Sequence, residues 1–343
     1  MFKNILLIST ITLTMVAGCS HEKLIKEQNK ETVIEIPYRN YNHPVIHEGE
    51  MFVNVSNHTF NTYNVDSLIK YNMKTGKEEL LYKSEYEESS MQKTEVNDDW
   101  LVWVDSSADG YNEKILSMNL LNGKIKTLAE TNPKYLTILS PELYNHYVAW
   151  VELSHSNQIK VKLHNLTTNE TIDVADINDY SLYNASVYLD NEYLLWTDTM
   201  NGKGYYYLYN VHSKKIENYQ APRAYPAYAT YSDGKIFSIN FDDQTDWTNQ
   251  DFGYFDIETK TYHSLKHGDF INHFDTYKDK LVILDSNNKL YFYKMIKNKL
   301  NPIDINITEE ENPVFASFDN DGHLIINFDI TESMNKSRIG VVN

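Results

Sequence analysis

A single loop concentrates the residue types that most readily bind ligands. Between Phe241 and Asp251 the chain carries four carboxylates and one tryptophan, and two tyrosines precede this segment closely. Carboxylate oxygens are the ligands that calcium prefers, and aromatic rings stack on sugars or peptides. The candidate ligand-binding residues are Tyr225, Tyr228, Asp242, Asp243, Asp246, Trp247 and Asp251.

The same composition is also typical of a loop with a purely structural role. Segments rich in Asp and Asn are commonly solvated turns whose aromatic residues pack at the rim of a domain, and this interpretation is the favoured one. The spacing of the acids does not match an EF-hand loop, so calcium is a candidate and no metal site is assigned. Asp319–Gly322 lacks the later Glu of such a loop and is predicted to be a hairpin turn,.

The rest of the chain carries no known catalytic motif. His43 and His47, like His263 and His267, are four residues apart, which on a strand separates them by about 13 Å, too far for one zinc. The nucleophile elbow and the glycine-rich phosphate loops are absent from the sequence,. A glycosidase or polysaccharide lyase would need carboxylates, or a Lys, Tyr or His base, converging on one site. With 48 acids in the chain, such a site can be neither assigned nor excluded.

The charge balance limits the class of partner. The 343 residues include 48 acidic and 31 basic side chains, which give a formal net charge of −17, and no Lys/Arg cluster occurs. Nucleic acids require concentrated cations, so they are excluded as partners. The hydrophobic content of 41% predicts a folded domain with a large core,.

The first twenty residues predict export and a lipid anchor. An apolar segment, Ile5–Val16, follows Lys3, is too short to span a membrane and leads into small residues,. Val16-Ala17-Gly18-Cys19 resembles the lipobox of bacterial lipoproteins, which implies acylation of Cys19 and cleavage just before it. We therefore expect a signal peptide over 1–18, a lipidated Cys and tether over 19–32, and a location on the extracytoplasmic face of the cell membrane.

Internal repeats predict the elements that must position any site. Trp100–Asp105, Tyr147–Glu152 and Tyr193–Asp198 share an apolar run with Trp fourth and an acid sixth. Weaker copies occur at Met51–Ser56, Lys235–Asn240, Lys280–Asp285 and His323–Phe328. Equivalent places fall 42 to 49 residues apart, at Asn54, Trp103, Trp150, Trp196, Ser238, Ile283 and Ile326.

A second strand-like run and a turn such as Lys74–Lys77 follow most copies. Units of about 45 residues with four short strands are typical of β-propeller blades. The sequence thus predicts an all-β propeller over 33–343 with seven four-stranded blades, or six if an end copy is an elaborated edge. Val33–Pro37 is predicted to close the ring as the outer strand of the last blade. The repeated tryptophans are predicted to pack between blades.

These repeats resemble the exported propellers of the TolB and dipeptidyl-peptidase N-terminal type. Asp233–Phe237 resembles the start of their unit, and Tyr71–Lys77 and Phe255–Lys260 resemble its turn. The resemblance implies the fold and a general role in extracytoplasmic binding. A hydrolase of that family is not expected, because no peptidase domain follows the repeats.

The resulting hypothesis is a lipid-anchored propeller that acts as a ligand-binding or protein-assembly module, with a glycan, a peptide or an envelope protein as partner. The alternative is a carbohydrate-active enzyme on the same scaffold. Several carboxylates buried at the centre of the ring with raised pKa values would favour the enzyme. An aromatic or polar rim without such carboxylates would favour the binding module.

Overall fold

The computed structural model describes residues 31–57, 64–131, 140–153, 158–179, 186–190, 192–296, 299–305, 312–329 and 336–342. The predicted signal peptide, Cys19 and the tether up to residue 30 lie outside these ranges. Every regular element within them is a β-strand. None of the described residues belongs to a helix that is apolar and long enough to span a bilayer.

The described strands form seven antiparallel sheets of four strands each, which confirms the predicted seven-bladed propeller. Blade one contains β2 (Asn40–His47), β3 (Glu50–Ser56), β4 (Ser67–Asn72) and β5 (Glu78–Lys83), from the innermost strand outwards. Blade two contains β6 (Gln92–Val96), β7 (Trp100–Ser106), β8 (Glu113–Asn119) and β9 (Lys124–Glu130). Blade three contains β10 (Glu142–Tyr144), β11 (Tyr147–Leu153), β12 (Ile159–Asn165) and β13 (Glu170–Ile177).

The remaining blades repeat this order. Blade four contains β14 (Tyr188–Asp190), β15 (Tyr193–Met200), β16 (Lys203–Asn210) and β17 (Ile216–Gln220). Blade five contains β18 (Tyr225–Ser232), β19 (Lys235–Phe241), β20 (Asp251–Asp256) and β21 (Thr261–Ser264). Blade six contains β22 (Ile271–Tyr277), β23 (Lys280–Asp285), β24 (Leu290–Ile296) and β25 (Lys299–Ile303). Blade seven contains β26 (Pro313–Phe318), β27 (Leu324–Phe328), β28 (Ser337–Val342) and β1 (Glu31–Ile36).

The ring is closed by the N-terminal strand, as predicted. Strand β1 pairs antiparallel with β28, with Glu31 opposite Val342 and Ile36 opposite Ser337. The strand covers Glu31–Ile36 rather than the predicted Val33–Pro37, so the last two residues of the predicted tether belong to the propeller. Ile36 is fully buried in the core between blades seven and one, which ties the closing strand to the first blade.

The second strand of each blade carries the repeated motif. Trp103, Trp150 and Trp196 are at most 2% exposed, which confirms their predicted role in packing. Trp150 packs with side chains of blade two, and Trp196 with side chains of blade three. The strand register corrects one alignment, because Val53, and not Asn54, is the residue equivalent to Trp103.

Candidate ligand site in the central channel

The innermost strands bring seven side chains to one level of the propeller axis. In each blade, one innermost residue lies opposite Val102 of blade two or its equivalent, and all seven such residues line one cavity of about 380 Å³. Because every blade contributes, this cavity is the central channel. We call this set the carboxylate tier: Val45, Glu95, Glu142, Tyr188, Thr230, Asp275 and Ser317.

Two carboxylates of the tier share one lysine. Lys93 Nζ lies 3.2 Å from Glu95 Oε1 and 2.8 Å from Glu142 Oε1. Burial raises the pKa of Glu142 to about 7 and also raises that of Glu95, although the ammonium group opposes both shifts. Burial disfavours the charge on Lys93, but the two carboxylates outweigh it and raise its pKa. The three groups therefore form a largely buried ion cluster in the wall of the channel,.

The third carboxylate of the tier, Asp275 of blade six, is held by the backbone. Its two oxygens accept hydrogen bonds from the backbone N–H of Thr276 at 2.8 Å and of Phe318 at 2.7 Å. Burial raises the pKa of Asp275 to about 7 despite these hydrogen bonds. Asp275 forms no ion pair with any Lys, Arg or His in the described ranges. Within the described ranges it is a carboxyl group without an ion pair, although the charge of Lys93 favours its ionised form.

Two histidines and one phenylalanine line the channel beside the tier. The rings of His273 and Phe315 stack with centroids 4.2 Å apart, and His43 meets Phe315 edge-on at 6.0 Å. Burial, assisted by the charge of Lys93, lowers the pKa of His43 to about 3 and that of His273 to about 4. Both rings are therefore neutral near pH 7. His43 Nδ1 and His273 Nε2 are buried atoms without a hydrogen-bond partner.

Irregular backbone directs several of these side chains. His43, Lys93 and Tyr228 have positive φ angles of 46°, 47° and 50°, and each lies where the register of its innermost strand shifts. A left-handed conformation is disfavoured for residues other than glycine, and such strain commonly accompanies functional sites. Each bulge adds a residue to the wall of the channel.

The loop of blade five that was singled out from the sequence lies outside the channel. Asp242 is 63% exposed and pairs with Arg223 at 3.3 Å, and Asp251 lies 3.9 Å from the same guanidinium group. Asp243 and Asp246 each accept hydrogen bonds from the threonine two residues later, Thr245 and Thr248. These are Asx turns, in which the carboxylates stabilise the loop itself.

The aromatic candidates of that region separate from one another. Trp247 is 36% exposed and meets Phe241 edge-on at 5.5 Å. Tyr225 packs against the core of blades five and six. Tyr228 lines the channel. Of the seven candidate residues, all of which the structure describes, it is the one in the wall of the cavity.

A second cluster of potential ligands lies at turns between first and second strands. His47 Nε2 lies 3.1 Å from Asp98 Oδ1 and its Nδ1 lies 3.3 Å from Asp321 Oδ2. A carboxylate oxygen of Glu48 lies within 4.8 Å of the potential ligand atoms of His47 and Asp98. The acids are exposed turn residues, and we assign no metal to them. The turn predicted at Asp319–Gly322 is confirmed, because Asp319 Oδ1 accepts hydrogen bonds from the N–H groups of Asp321 and His323.

Comparison with known proteins defines the class of fold. No family model and no curated protein matches this chain. The β-propeller domain of the Trilobed protease from Pyrococcus furiosus matches 70% of this chain and 78% of its own, with TM-score 0.51 and 11% identity. Acylaminoacyl peptidase from Pyrococcus horikoshii matches with TM-score 0.58 and 10% identity over 85% of this chain, which spans only 49% of the peptidase. TolB from Acinetobacter baumannii matches with TM-score 0.46 and 12% identity over 81% of this chain and 59% of its own.

The two matches with TM-scores above 0.5 establish the fold alone,. The chain is a seven-bladed propeller resembling the propeller domains of peptidases, and its function has to be argued from the channel.

Proposed function

We propose that this protein is a lipid-anchored extracytoplasmic propeller that binds a small ligand in its central channel. The observation that carries the proposal is the carboxylate tier, which places three acids around a cavity of about 380 Å³. Concave sites with a few converging polar groups are the usual place for small ligands. Neutral histidines with unpartnered nitrogens add hydrogen-bonding capacity to the same wall.

The membrane location in this proposal is supported by the sequence at Val16–Cys19. An acylated Cys19 would leave residues 20–30 as a connection to the first strand of the propeller. At about 3.3 Å per extended residue, this connection reaches on the order of 36 Å.

The channel hypothesis can be tested by thermal unfolding of the full chain in detergent, with tryptophan fluorescence as the signal. The protein is unfolded in the presence of each member of a library of amines, oligosaccharides and peptides. A ligand that binds only the folded state raises the melting temperature. Ser317→Tyr would fill the tier, and Ser213→Tyr places the same ring on an exposed turn as the control.

We expect ligands that stabilise the unmodified protein and the Ser213→Tyr variant but not Ser317→Tyr. Equal stabilisation of both variants would place the site elsewhere. If no compound shifts the unmodified protein, a small-ligand function is wrong, and partner capture by the intact protein becomes the next experiment.

A glycosidase is the second candidate, because the centre of the ring holds carboxylates with raised pKa values. The two distances from Lys93 place Glu95 Oε1 and Glu142 Oε1 at most about 6 Å apart, near the separation of about 5–5.5 Å that retaining glycosidases use. However, the ammonium group of Lys93 contacts both carboxylates, where a glycosidic bond would have to enter. The raised pKa values meet the criterion stated above for an enzyme. The contact of Lys93 with both carboxylates opposes it, and for that reason we propose binding first.

The two candidates differ in a direct assay. If the protein binds without turnover, the unmodified protein should hydrolyse nitrophenyl glycosides of common hexoses no faster than a Glu142→Gln variant does. The release of nitrophenol measures this rate. Hydrolysis that is lost in Glu142→Gln would instead make Glu142 a general acid and the protein an enzyme.

A further inference from the structure

The wall of the channel presents an excess of acids over bases. Among the described residues, five carboxyl groups line it, from Glu95, Glu142, Asp190, Asp275 and Asp319, and Lys93 is the one lysine. His43 and His273 are neutral near pH 7. Lys93 forms its ion pairs with Glu95 and Glu142, and its charge acts on Asp275 without an ion pair.

Asp275 and His273 form a pair of acceptors in the wall of the same cavity. They lie two residues apart on β22, so their side chains leave the same face of the strand,. His273 hydrogen-bonds the backbone of Ala316, and its unpartnered nitrogen is Nε2, so Nδ1–H donates and Nε2 is left as an acceptor. A carboxyl group and an imidazole ring with an unpartnered nitrogen thus line the cavity together.

We infer that the ligand of this channel carries an ammonium group, and that Asp275 is its ionic partner with His273 Nε2 as a second acceptor. The inference rests on the proposed small-ligand function. An ammonium group offers several N–H donors and one positive charge, which match these two acceptors and the carboxyl group that has no ion pair among the described residues,. A neutral hydroxylated ligand would leave the buried charge of Asp275 unpaired.

Binding then exchanges a proton for the ligand. The pKa of Asp275 is about 7, so near neutral pH about half of these groups are protonated. An alkylammonium ion favours the ionised carboxylate, and the protonated fraction must release its proton to solvent when the ligand binds. Alkylamines remain protonated between pH 6 and 8, so the pH dependence reports on the protein.

The test measures binding to the full chain in detergent with EDTA, and it compares three amino alcohols with diols of the same carbon skeleton. The pairs are 5-amino-1-pentanol and 1,5-pentanediol, 2-aminoethanol and ethylene glycol, and 4-aminocyclohexanol and 1,4-cyclohexanediol. Affinity is measured by calorimetry at pH 6, 7 and 8 in two buffers of different ionisation enthalpy. We expect the amines to bind at least tenfold more tightly than the diols at pH 8. Their affinity should rise roughly tenfold from pH 6 to pH 8, with proton release near pH 7.

Asp275→Asn should abolish both the amine preference and the proton release. Asp279→Asn is the matched control, because it makes the same change in the same blade at an exposed turn outside the cavity. If Asp275→Asn does not fold, the amine preference and the pH series of Glu142→Gln decide, because this variant removes the other channel carboxyl group whose pKa is about 7. Proton release that disappears in Glu142→Gln would overturn the role of Asp275.

Diols that bind as tightly as amines, or an amine affinity that does not change with pH, would overturn the inference and leave the small-ligand function standing. Failure of every probe of both kinds to bind would overturn both proposals.

Discussion

Lys93 determines the electrostatic balance of the channel. Its ammonium group contacts Glu95 and Glu142, and all three side chains are largely buried. Such clusters gain little over apolar packing while they are complete, but they become costly when one member is lost. The main role of the lysine is therefore to offset the repulsion between the two adjacent carboxylates in a narrow cavity.

Lys93→Met should destabilise the fold by about 3–5 kcal/mol at pH 8. The pKa of Glu142, already about 7, should rise further without the ammonium group. A raised pKa in the folded state means that stability is present at low pH and is lost as pH rises through that pKa. The loss should therefore be smaller at pH 5, where both carboxyls can be protonated, and urea unfolding at the two pH values measures it.

The double variant Lys93→Met/Glu142→Gln is the control for this prediction. It removes one of the two repelling carboxylates, so part of the stability at pH 8 should return. A loss from Lys93→Met that is the same at pH 5 and pH 8 would contradict the electrostatic explanation.

The channel residues could not be predicted from the sequence. Repeated packing positions have similar side chains in each blade, whereas the carboxylate tier has a different residue type in most blades. Two of its members lie on strands of only three residues, β10 and β14, which give no periodic signal. Composition drew attention instead to the acids of blade five, whose role is local because they complete Asx turns.

The strands that carry the core were predicted well, because their pattern recurs. The runs Ser67–Asn72 and Ser337–Val342 agree with β4 and β28 without any shift. The alignment slipped by one residue in blade one, where Val53 replaces the tryptophan that marks blades two to four. A one-residue slip exchanges the faces of a strand, and only the pairing with its neighbours resolves it.

The closing strand β1 offers a prediction at the level of the element. Ile36→Ala removes a fully buried side chain from the core between blades seven and one and should cost about 2–5 kcal/mol,. Glu35→Ala, on the exposed neighbour whose partner is Lys336, should change stability by less than about 1 kcal/mol,. Chemical denaturation measures both, and an Ile36→Ala protein as stable as Glu35→Ala would show that β1 is not part of the cooperative unit.

At the scale of the whole molecule, the anchor and the propeller are expected to be separable. Cys19→Ala should move the protein from the detergent phase to the aqueous phase in a Triton X-114 partition and abolish labelling by an alkyne analogue of palmitate. Because Cys19 is the only cysteine, no other thiol can accept the label. The melting temperature of the propeller should be unchanged, since the described fold begins at Glu31.

A Cys19→Ala protein that still partitions with detergent would contradict the lipid anchor. A matched Ser20→Ala variant should retain both the label and the partition.

The pairing of β1 with β28 also sets an order of events in folding. β1 precedes the other described strands in the chain and its partner β28 follows them, with Glu31 opposite Val342. Six blades can pair from strands close in sequence, but the seventh needs both of these strands, and contacts of such long sequence separation form slowly. Until β1 and β28 pair, an unpaired edge is exposed at each end of an open crescent, so the chain is most prone to aggregation just before the ring closes.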